Sequence, residues 1–322
     1  MLCKSLQISK IKSRDVRKRQ GEWFYLKKNS KSKKLFIALS VIPSFILFFV
    51  FMIIPTLNVF WMSLFKWGGL TNNKKFVGLN NFIILFKDEK FIKSFQNTLF
   101  LIVFVTIVTL ILAIALAAVL IRKDIKFNNL FRIIFYLPNI LSVVVISAIF
   151  SAILDPNQGI LNATLDLLKL ENWKRMWLGN PSTVVWCIAV AMIWQAVGYY
   201  MVMYMSAMSS LPESLYEAAD LEGASKFKQF FSITLPLVWG TIRTTLTFFI
   251  ISCINLSFLF VKVMTGGGPD GASESFLGYM YKQAYGNSSY GYGMAIGVVI
   301  FLFSFGLSLI ISKITERDVI EY

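Results

Sequence analysis

The 322-residue sequence contains no histidine, only three cysteines and few charged residues. Without histidine, the chain has no imidazole for a Ser-His-Asp triad, a histidine-ligated metal or a histidine proton relay. The cysteines, Cys3, Cys187 and Cys253, lie far apart and form no CxxC pair, so we expect neither a zinc site nor a disulfide framework. These absences exclude histidine-based catalysis and histidine-ligated metal sites.

Charged residues make up only 15% of the chain, whereas 56% of residues are hydrophobic and Phe alone occurs 30 times. Soluble domains have about 25% charged and about 45–50% apolar residues. The mean hydropathy is +0.65, and the apolar residues fall in blocks long enough to cross a bilayer. The composition therefore predicts an integral membrane protein.

Six apolar segments reach the roughly 20 residues that a transmembrane helix needs. They cover residues 35–57, 98–121, 133–154, 183–208, 237–261 and 292–312. The only Asp, Glu, Lys or Arg within these segments is Arg243, near the start of the fifth. The sequence predicts an all-α fold with six transmembrane helices in one domain, residues 35–312.

Lysine and arginine are unevenly distributed among the segments that connect these spans. Twelve of the 32 Lys and Arg residues lie in residues 1–34. With the N-terminus inside, the inner segments carry 20 of them in 83 residues and the outer segments 11 in 98. This bias predicts that the basic tail 1–34 and the tail 313–322 are both cytoplasmic. We expect the basic tail to lie near anionic membrane lipid rather than to bind nucleic acid.

The cytoplasmic loop between the fourth and fifth spans, residues 209–236, has the pattern of two short helices. Pro212 suits the first turn of a helix, Gly223 is placed to end it, and Ser225 can cap a second one. The first helix is acidic, with Glu213, Glu217, Asp220 and Glu222. An amphipathic hairpin on the lipid surface would suit the phenylalanines of the second helix, but anionic lipid would repel the first. The pattern therefore predicts a docking site for a cytoplasmic protein.

This loop resembles the EAA loop of ATP-binding-cassette (ABC) importer permeases, in which a short coupling helix sits in a cleft of the ATPase subunit. The residues that match the motif are Glu217, Ala218, Ala219, Gly223, Ile233, Leu235 and Pro236. The resemblance implies that they couple the permease to a separate ATPase, which binds ATP and magnesium. It also implies that this chain is non-catalytic and holds no cofactor or metal of its own.

Three further stretches narrow the resemblance to one branch of these permeases. They are residues 78–99, 136–162 and 265–286. Each is similar to a segment of the carbohydrate-uptake permeases of the maltose, glycerol-3-phosphate and multiple-sugar type, specifically the first of their two permease subunits. The likeness covers nearly everything after residue 34, without the large periplasmic domain of some maltose permeases.

The resemblance implies a multi-pass protein of the bacterial cytoplasmic membrane with three kinds of protein partner. These are a second homologous permease subunit, a cytoplasmic ATPase dimer and an extracytoplasmic sugar-binding protein.

Polar side chains within the spans are candidate contacts for a polar solute, because such residues usually face the bundle interior or a cavity. The fourth span carries Trp194, Gln195 and Tyr199, and the fifth carries Ser252, Asn255 and Ser257. Amide and hydroxyl groups beside aromatic rings suit a sugar. The family's known sugar contacts also lie on these two helices, and the resemblance places Trp194 and Tyr199 at comparable positions. The alternative, equally open, is that Gln195 and Asn255 only hold helices together, at about 0.6 kcal/mol per pair.

A glycine-rich stretch on the predicted outer side could be mistaken for a phosphate loop. It comprises Gly266, Gly267, Gly268 and Pro269. The Gly-Lys-Ser/Thr of a phosphate loop does not follow it, so we expect no nucleotide site. We predict an outer turn that packs against the binding protein or braces the pathway, and a plain turn stays equally open.

Together these features predict the permease subunit of a sugar-importing ABC transporter. A neutral mono- or oligosaccharide is favoured, because no charged residue lies in the middle of a span. The alternatives are a glycerol-3-phosphate-type permease and an ATP-independent secondary transporter or channel. A membrane-embedded enzyme would need acid–base or metal-binding residues that the spans do not contain. An amino-acid or phosphate permease is hard to reconcile with the glycine-rich stretch.

Overall fold

The computed structural model describes residues 30–69, 73–121 and 126–316. Most of the two predicted cytoplasmic tails therefore lies outside the described residues. The chain divides into two compact units, Met1–Asn58 and Val59–Tyr322.

The first unit contains one long apolar helical segment. Helix α1 (Ser30–Phe48) continues through a π-helical turn (Phe49–Ile53) into α2 (Ile54–Met62), which ends in the second unit. The π-helical turn ends two residues before Pro55, which lacks the backbone N–H that a regular helix needs.

Within the described residues, the second unit consists of helices, the loops that join them and one short β-ribbon. Its elements in chain order are β1 (Phe65–Lys66), β2 (Lys75–Phe76), α3 (Asn80–Leu85), α4 (Glu89–Leu120), α5 (Asn128–Ile140), α6 (Val143–Ile153), α7 (Ile160–Leu167), a 3₁₀ turn (Glu171–Trp173), α8 (Val184–Ser209), α9 (Glu213–Leu221), α10 (Lys226–Gln229), a π-helical turn (Phe230–Thr234), α11 (Leu235–Leu237), α12 (Trp239–Met264), α13 (Phe276–Tyr281), a π-helical turn (Lys282–Gly286) and α14 (Tyr290–Ile314). The two strands pair antiparallel, with Phe65 opposite Phe76.

Five of the six predicted spans are single long apolar helices, and the third predicted span is a bent pair. Within the described residues, Lys34–Met62, α4, α8, α12 and α14 are each long and apolar enough to cross a membrane. The pair α5 and α6 passes the same test together but is bent by 102°, so it supplies the sixth span if it crosses as one unit.

The third predicted span, residues 133–154, is thus two helices rather than one. Between them, Leu141 and Ser142 are extended, with ψ of 146° and 149°. Pro138, in the last turn of α5, cannot donate a backbone hydrogen bond and weakens the helix at this point. Ser142 then starts α6, because its hydroxyl accepts a hydrogen bond from the N–H of Val145 at 3.3 Å.

Helix α8 is largely buried and packs against α4, α5 and α12. Gly198 makes the contact with α5 possible, because a side chain at this position would overlap the backbone carbonyl of Phe135. The two helix backbones therefore touch directly, a use of glycine that is common between membrane helices.

Helices α8 and α12 run antiparallel, and two contacts fix their register. The hydroxyls of Tyr204 and Thr245 share a hydrogen bond of 2.6 Å. One turn further along, the rings of Tyr200 and Phe249 lie 4.6 Å apart between centres. In both pairs the two residue numbers add up to the same value, as they must along two antiparallel helices. Any residue of α8 can therefore be matched to the residue of α12 that lies at the same depth in the membrane.

At the predicted outer end, one carboxylate joins α4 to α13 and α14. Asp88 caps α4 by accepting hydrogen bonds from the N–H groups of Lys90 (3.0 Å) and Phe91 (3.4 Å). Its other oxygen accepts hydrogen bonds from the hydroxyls of Tyr279 and Tyr292, each at 2.6 Å. Burial acts to raise the pKa of Asp88, but the hydrogen bonds from the two tyrosines and the two backbone groups outweigh it and lower the pKa.

Candidate functional site

The loop between α8 and α12 folds as the predicted helix–turn–helix. Its first helix, α9, begins directly after Pro212. Gly223 has a φ of +73°, the left-handed conformation that ends a helix. Ser225 caps α10, because its hydroxyl accepts a hydrogen bond from the N–H of Lys228 at 3.3 Å. The π-helical turn and α11 then lead through Val238 into α12.

Side-chain hydrogen bonds brace the two short helices of this loop. Asp220 accepts hydrogen bonds from Lys226 at 2.8 Å and from the buried amide of Gln229 at 2.6 Å. These two bonds lower the pKa of Asp220. A further bond of 2.9 Å joins the hydroxyls of Tyr216 and Thr234. The loop is therefore held as one unit rather than as a flexible tether.

Gln229 and Tyr216 are not predicted from the sequence. Their partners lie nine and eighteen positions away, and no local pattern pairs residues at these separations. The capping residues, by contrast, act on neighbours three positions away and leave a recognisable local signature.

The residues of the EAA motif divide between the surface and the interior of the loop. Glu217 and Ala218 are exposed, whereas Ala219 is buried. The half-buried residues at the other end of the motif are Ile233, Leu235 and Pro236. On the same loop, Leu221 and Phe227 are 91% and 75% exposed. A braced loop that exposes large apolar side chains is typical of a protein-binding surface.

The predicted pathway residues on α8 do not share one side of the helix. Trp194 and Tyr199 are both exposed but lie about 140° apart around the helix axis. Trp194 packs edge-on against Phe150 of α6, with 5.6 Å between ring centres. Gln195 is buried and makes no side-chain hydrogen bond within the part of the chain that the structure describes.

On α12 the structure separates Ser257 from the other two predicted residues. Ser257 is fully buried, and its hydroxyl donates to the carbonyl of Ile254 at 2.8 Å. Ser252 and Asn255 are exposed on one side of the helix, and among residues 30–69, 73–121 and 126–316 neither side chain has a hydrogen-bond partner. The antiparallel register places Asn255 at the depth of Trp194. The helix-joining alternative for Gln195 and Asn255 thus gains no hydrogen bond in the described ranges.

Exposed residues follow one side of α12 along its whole length. This α12 stripe consists of Gly240, Thr244, Phe248, Ser252, Asn255 and Leu259. Steps of three and four residues keep positions on one side of an α-helix. The stripe therefore presents two hydroxyls and one amide at the depth of the membrane.

The exposed sides of α4 and α14 have a different chemistry. In the middle of α4 the exposed large side chains are Leu99, Val103, Ile107, Ile111 and Leu112, and on α14 they are Phe301, Leu302, Phe305, Leu309 and Ile310. Lipid accommodates such side chains, whereas polar groups in membrane helices usually face a cavity or another protein. The α12 stripe thus suits contact with water, a polar solute or a second subunit.

The glycine-rich turn that follows α12 is held from within the chain. Gly266 and Gly267 have φ of +62° and +91°, conformations that favour glycine. A Cβ on Gly267 would collide with the carboxylate of Glu274. Asn97 of α4 donates hydrogen bonds to the carbonyls of Ala272 (2.8 Å) and Glu274 (3.1 Å). These contacts fix the turn against α4, and its role beside the pathway or the binding protein stays a prediction.

The same turn borders a chamber of about 840 Å³ at the predicted outer end. Lys90, Lys93 and Lys282 line it together with the turn, and the nearly buried Glu274 contributes a carboxylate. Burial raises the pKa of Glu274, although Lys282 acts in the opposite direction. The chamber is therefore a charged, accessible surface at the opposite end of α12 from the loop 209–236.

Residues 109–319 match a protein family described as binding-protein-dependent transport system inner membrane component. A probable ABC transporter permease protein, YurN of Bacillus subtilis (strain 168), is 34% identical over 286 residues, which cover 87% of this chain and 96% of that protein. The diacetylchitobiose uptake system permease protein NgcF of Streptomyces coelicolor is 30% identical over 275 residues, covering 82% of this chain and 77% of NgcF.

The fold is similar to that of a chain in the crystal structure of a bacterial ABC transporter involved in the import of the acidic polysaccharide alginate. The TM-score is 0.78 at 22% sequence identity, and the match covers 90% of this chain and 98% of the other. At this level of identity the likeness concerns the fold.

Proposed function

This chain belongs to the family of binding-protein-dependent transport system inner membrane components, and from that membership we propose that it forms the pathway by which a sugar enters a bacterial cell. It is a multi-pass protein of the bacterial cytoplasmic membrane with the all-α architecture of an ABC importer permease. Its role is that of a transport permease subunit in a binding-protein-dependent system.

One observation carries the mechanism: the braced loop connects the two helices that hold the predicted pathway residues. Helix α8 enters the loop, and the π-helical turn and α11 are joined to α12 through the single buried residue Val238. Because Asp220 and Gln229 fix α9 against α10, a displacement of the loop would move α12 rather than be absorbed within the loop. Its exposed residues, Glu217, Ala218 and Leu221, would meet the ATPase.

The energy for transport would come from a separate cytoplasmic ATPase dimer, which binds ATP and magnesium. The loop must favour different permease states when the ATPase is open and closed, because equal contacts in both states would couple nothing. A second, homologous permease subunit would complete the pathway opposite the α12 stripe. The extracytoplasmic binding protein would approach the charged chamber at the other end of α12, beside Lys90 and Lys282.

A neutral sugar suits the α12 stripe better than a charged solute. Ser252 and Asn255 offer hydroxyl and amide groups, and the two cations of α12, Arg243 and Lys262, lie toward its ends. For this reason the glycerol-3-phosphate alternative is not favoured. Membership in a binding-protein-dependent family likewise disfavours an ATP-independent secondary transporter.

The proposed function is tested by sugar uptake in a strain with and without this gene. The panel contains labelled maltotriose, raffinose, diacetylchitobiose, glucose and glycerol-3-phosphate. We expect loss of uptake of a neutral saccharide and its return when the gene is restored. Loss of glycerol-3-phosphate uptake alone would contradict the inference from the α12 stripe that the solute is neutral. Unchanged uptake of every saccharide would contradict the proposed function.

A further inference from the structure

At the end of α12 nearest the loop 209–236, the α12 stripe borders a pocket. None of the predicted pathway residues lines this pocket. The pocket has a volume of about 370 Å³, within the range of small-molecule sites. It is lined by Gly240, Arg243, Thr244, Thr247, Phe248 and Ser312. Thr244 lies eight residues from Ser252, or about 12 Å along the helix.

Arg243 supplies hydrogen-bond donors to this pocket. Its Nη2 donates to the carbonyl of Ser312 at 2.9 Å and to the hydroxyl of Ser312 at 3.2 Å. A guanidinium has five N–H donors, and within the described residues Nε and Nη1 have no partner. The Arg243 side chain is thus fixed to α14, and its Nε and Nη1 donors remain available to a ligand.

Thr244 and Thr247 supply acceptors. Their hydroxyl protons are donated to the carbonyls of Gly240 (2.9 Å) and Arg243 (3.1 Å). The lone pairs of both oxygens therefore remain available to a ligand. The ring of Phe248, which is 65% exposed, adds an apolar face beside them.

This combination matches a sugar better than it matches a lipid phosphate. Sugar hydroxyls both donate and accept hydrogen bonds, and their ring faces pack on aromatic side chains. A phosphate needs donors alone and has no use for the threonine lone pairs. An arginine that binds lipid headgroups usually extends toward the membrane surface, whereas Arg243 is tied sideways to Ser312.

We propose that Arg243, Thr244, Thr247 and Phe248 form an inner subsite that holds the sugar after it leaves the level of Asn255 and before it enters the cytoplasm. This inference rests on the proposed function and adds a second binding position to it. The sugar then passes along α12 between two polar positions rather than leaving the membrane in one step.

The test uses the complete transporter, with its partner permease, ATPase and binding protein, in proteoliposomes. Thr244→Val combined with Thr247→Val keeps the side-chain shape and removes both hydroxyls. The matched control is Thr241→Val, on the same helix but outside the pocket. The readouts are the maximal uptake rate of labelled maltotriose, raffinose and diacetylchitobiose and the ATPase rate.

We expect the double variant to lose about fivefold to 30-fold in maximal uptake, because one or two hydrogen bonds to the sugar are removed. The concentration giving half-maximal uptake should not change, since the binding protein captures the sugar on the other side. Stimulation of the ATPase by the binding protein should persist, and Thr241→Val should transport normally. These results would separate a lost contact with sugar from a general folding defect.

A second measurement is independent of the double variant. In inside-out vesicles, a cysteine introduced by Thr247→Cys should react more slowly with a soluble maleimide when the transported sugar is present. Unchanged uptake by the double variant, an equal loss in Thr241→Val, or labelling indifferent to sugar would each overturn the subsite. A defect that disappears in liposomes lacking phosphatidylglycerol would assign the pocket to anionic lipid and also overturn it. If the unaltered transporter imported none of the sugars, the proposed function itself would be contradicted.

Discussion

Helices α12 and α14 each bury one side in the same bundle and expose the other, yet the exposed sides differ in chemistry. The α12 stripe includes Ser252 and Asn255, whereas α14 exposes Phe301, Phe305 and Leu309. If both sides faced hydrocarbon, the polar groups of α12 would be costly and without partners. From this difference we infer that α14 faces lipid and that α12 carries the proposed transport surface.

Exposure alone therefore does not identify a lipid-facing surface in a single membrane subunit. The hydrophobic length of α12 and α14 is similar, so a hydropathy profile treats them alike. The chemistry of the side that the bundle leaves open distinguishes them, and that side is known only from the packing.

We expect the largest loss of uptake when the polar side chains of the α12 stripe are replaced by apolar ones like those of α14. Ser252→Val combined with Asn255→Leu removes two polar groups, and at about 1 kcal/mol each their loss should lower uptake about 30-fold. Uptake in proteoliposomes, at matched protein levels, measures the effect. Ser257→Ala is the control, because its hydroxyl is already bonded within the helix and uptake should stay within about twofold. Near-normal uptake by the double variant would contradict the functional assignment of α12.

A second change tests whether α12 is driven through the loop. Gly223→Val places a β-branched residue at a φ of +73°, which should distort the end of α9 at a cost of about 1–2 kcal/mol. We expect ATP hydrolysis to continue while sugar uptake falls about tenfold for the same free-energy range. Gly223→Asn tolerates the left-handed conformation and should restore most of the uptake. The ratio of ATP hydrolysed to sugar imported gives the answer, and an unchanged ratio in Gly223→Val would argue against coupling through the loop.

A smaller effect is expected at the brace inside the loop. Gln229→Leu removes the buried amide that holds Asp220 and should reduce coupled uptake about threefold to fivefold, as for one net hydrogen bond. Lys226→Met removes only an exposed ion pair with the same carboxylate, and such pairs contribute at most about 1 kcal/mol. The two variants should therefore differ in the ATP-to-sugar ratio. Equal effects would show that the buried amide is not what positions α9.

At the predicted outer end, we expect a change at Asp88 to affect the stability of the protein rather than transport. The pKa of Asp88 is lowered in the folded protein, so its contribution is present above the unfolded pKa, near 4, and is lost as the pH falls through the folded pKa. Asp88→Asn should lower the free energy of unfolding by about 1 kcal/mol at neutral pH and weaken this acid sensitivity. Thermal unfolding of the purified protein between pH 3 and 7, in a detergent stable over that range, measures both. If the Asp88→Asn variant were as stable and as acid-sensitive as the parent, Asp88 would not be what stabilises the contact between α4 and α14.

The smallest effect is expected on α14. Phe305→Leu and Leu309→Val alter the exposed apolar surface that we assign to lipid, without adding a polar group, and most such surface changes are within about 0.5 kcal/mol. Uptake should stay within about twofold of the parent. A loss as large as that from the α12 double variant would erase the distinction between the two helices.

Much of the fold follows from local signals in the sequence. Hydrophobic length predicts the spans. Gly223 alone predicts where α9 ends, and Ser225 alone predicts where α10 begins. Each of these signals acts within a few residues, so it survives without knowledge of the tertiary structure.

The remaining features depend on packing between distant segments. Pro138 is visible in the sequence, but the 102° bend and the contact that Gly198 allows between α5 and α8 appear only in the packed structure. The role of Gln229 appears only when the loop folds back on Asp220. Helical geometry alone could have separated Ser257 from Asn255, because two residues differ by about 200° around the axis.

The most direct test of the central claim compares the two exposed sides in one experiment. Single cysteines are placed at positions 244, 252 and 255 of α12 and at 301, 305 and 309 of α14, in a background carrying Cys3→Ser, Cys187→Ser and Cys253→Ala. The assembled transporter is then treated with a membrane-impermeant maleimide, with and without ATP. We expect the α12 positions to react, at rates that change with ATP, and the α14 positions not to react. Equal reaction on both helices, or no reaction on α12 in either state, would contradict this expectation.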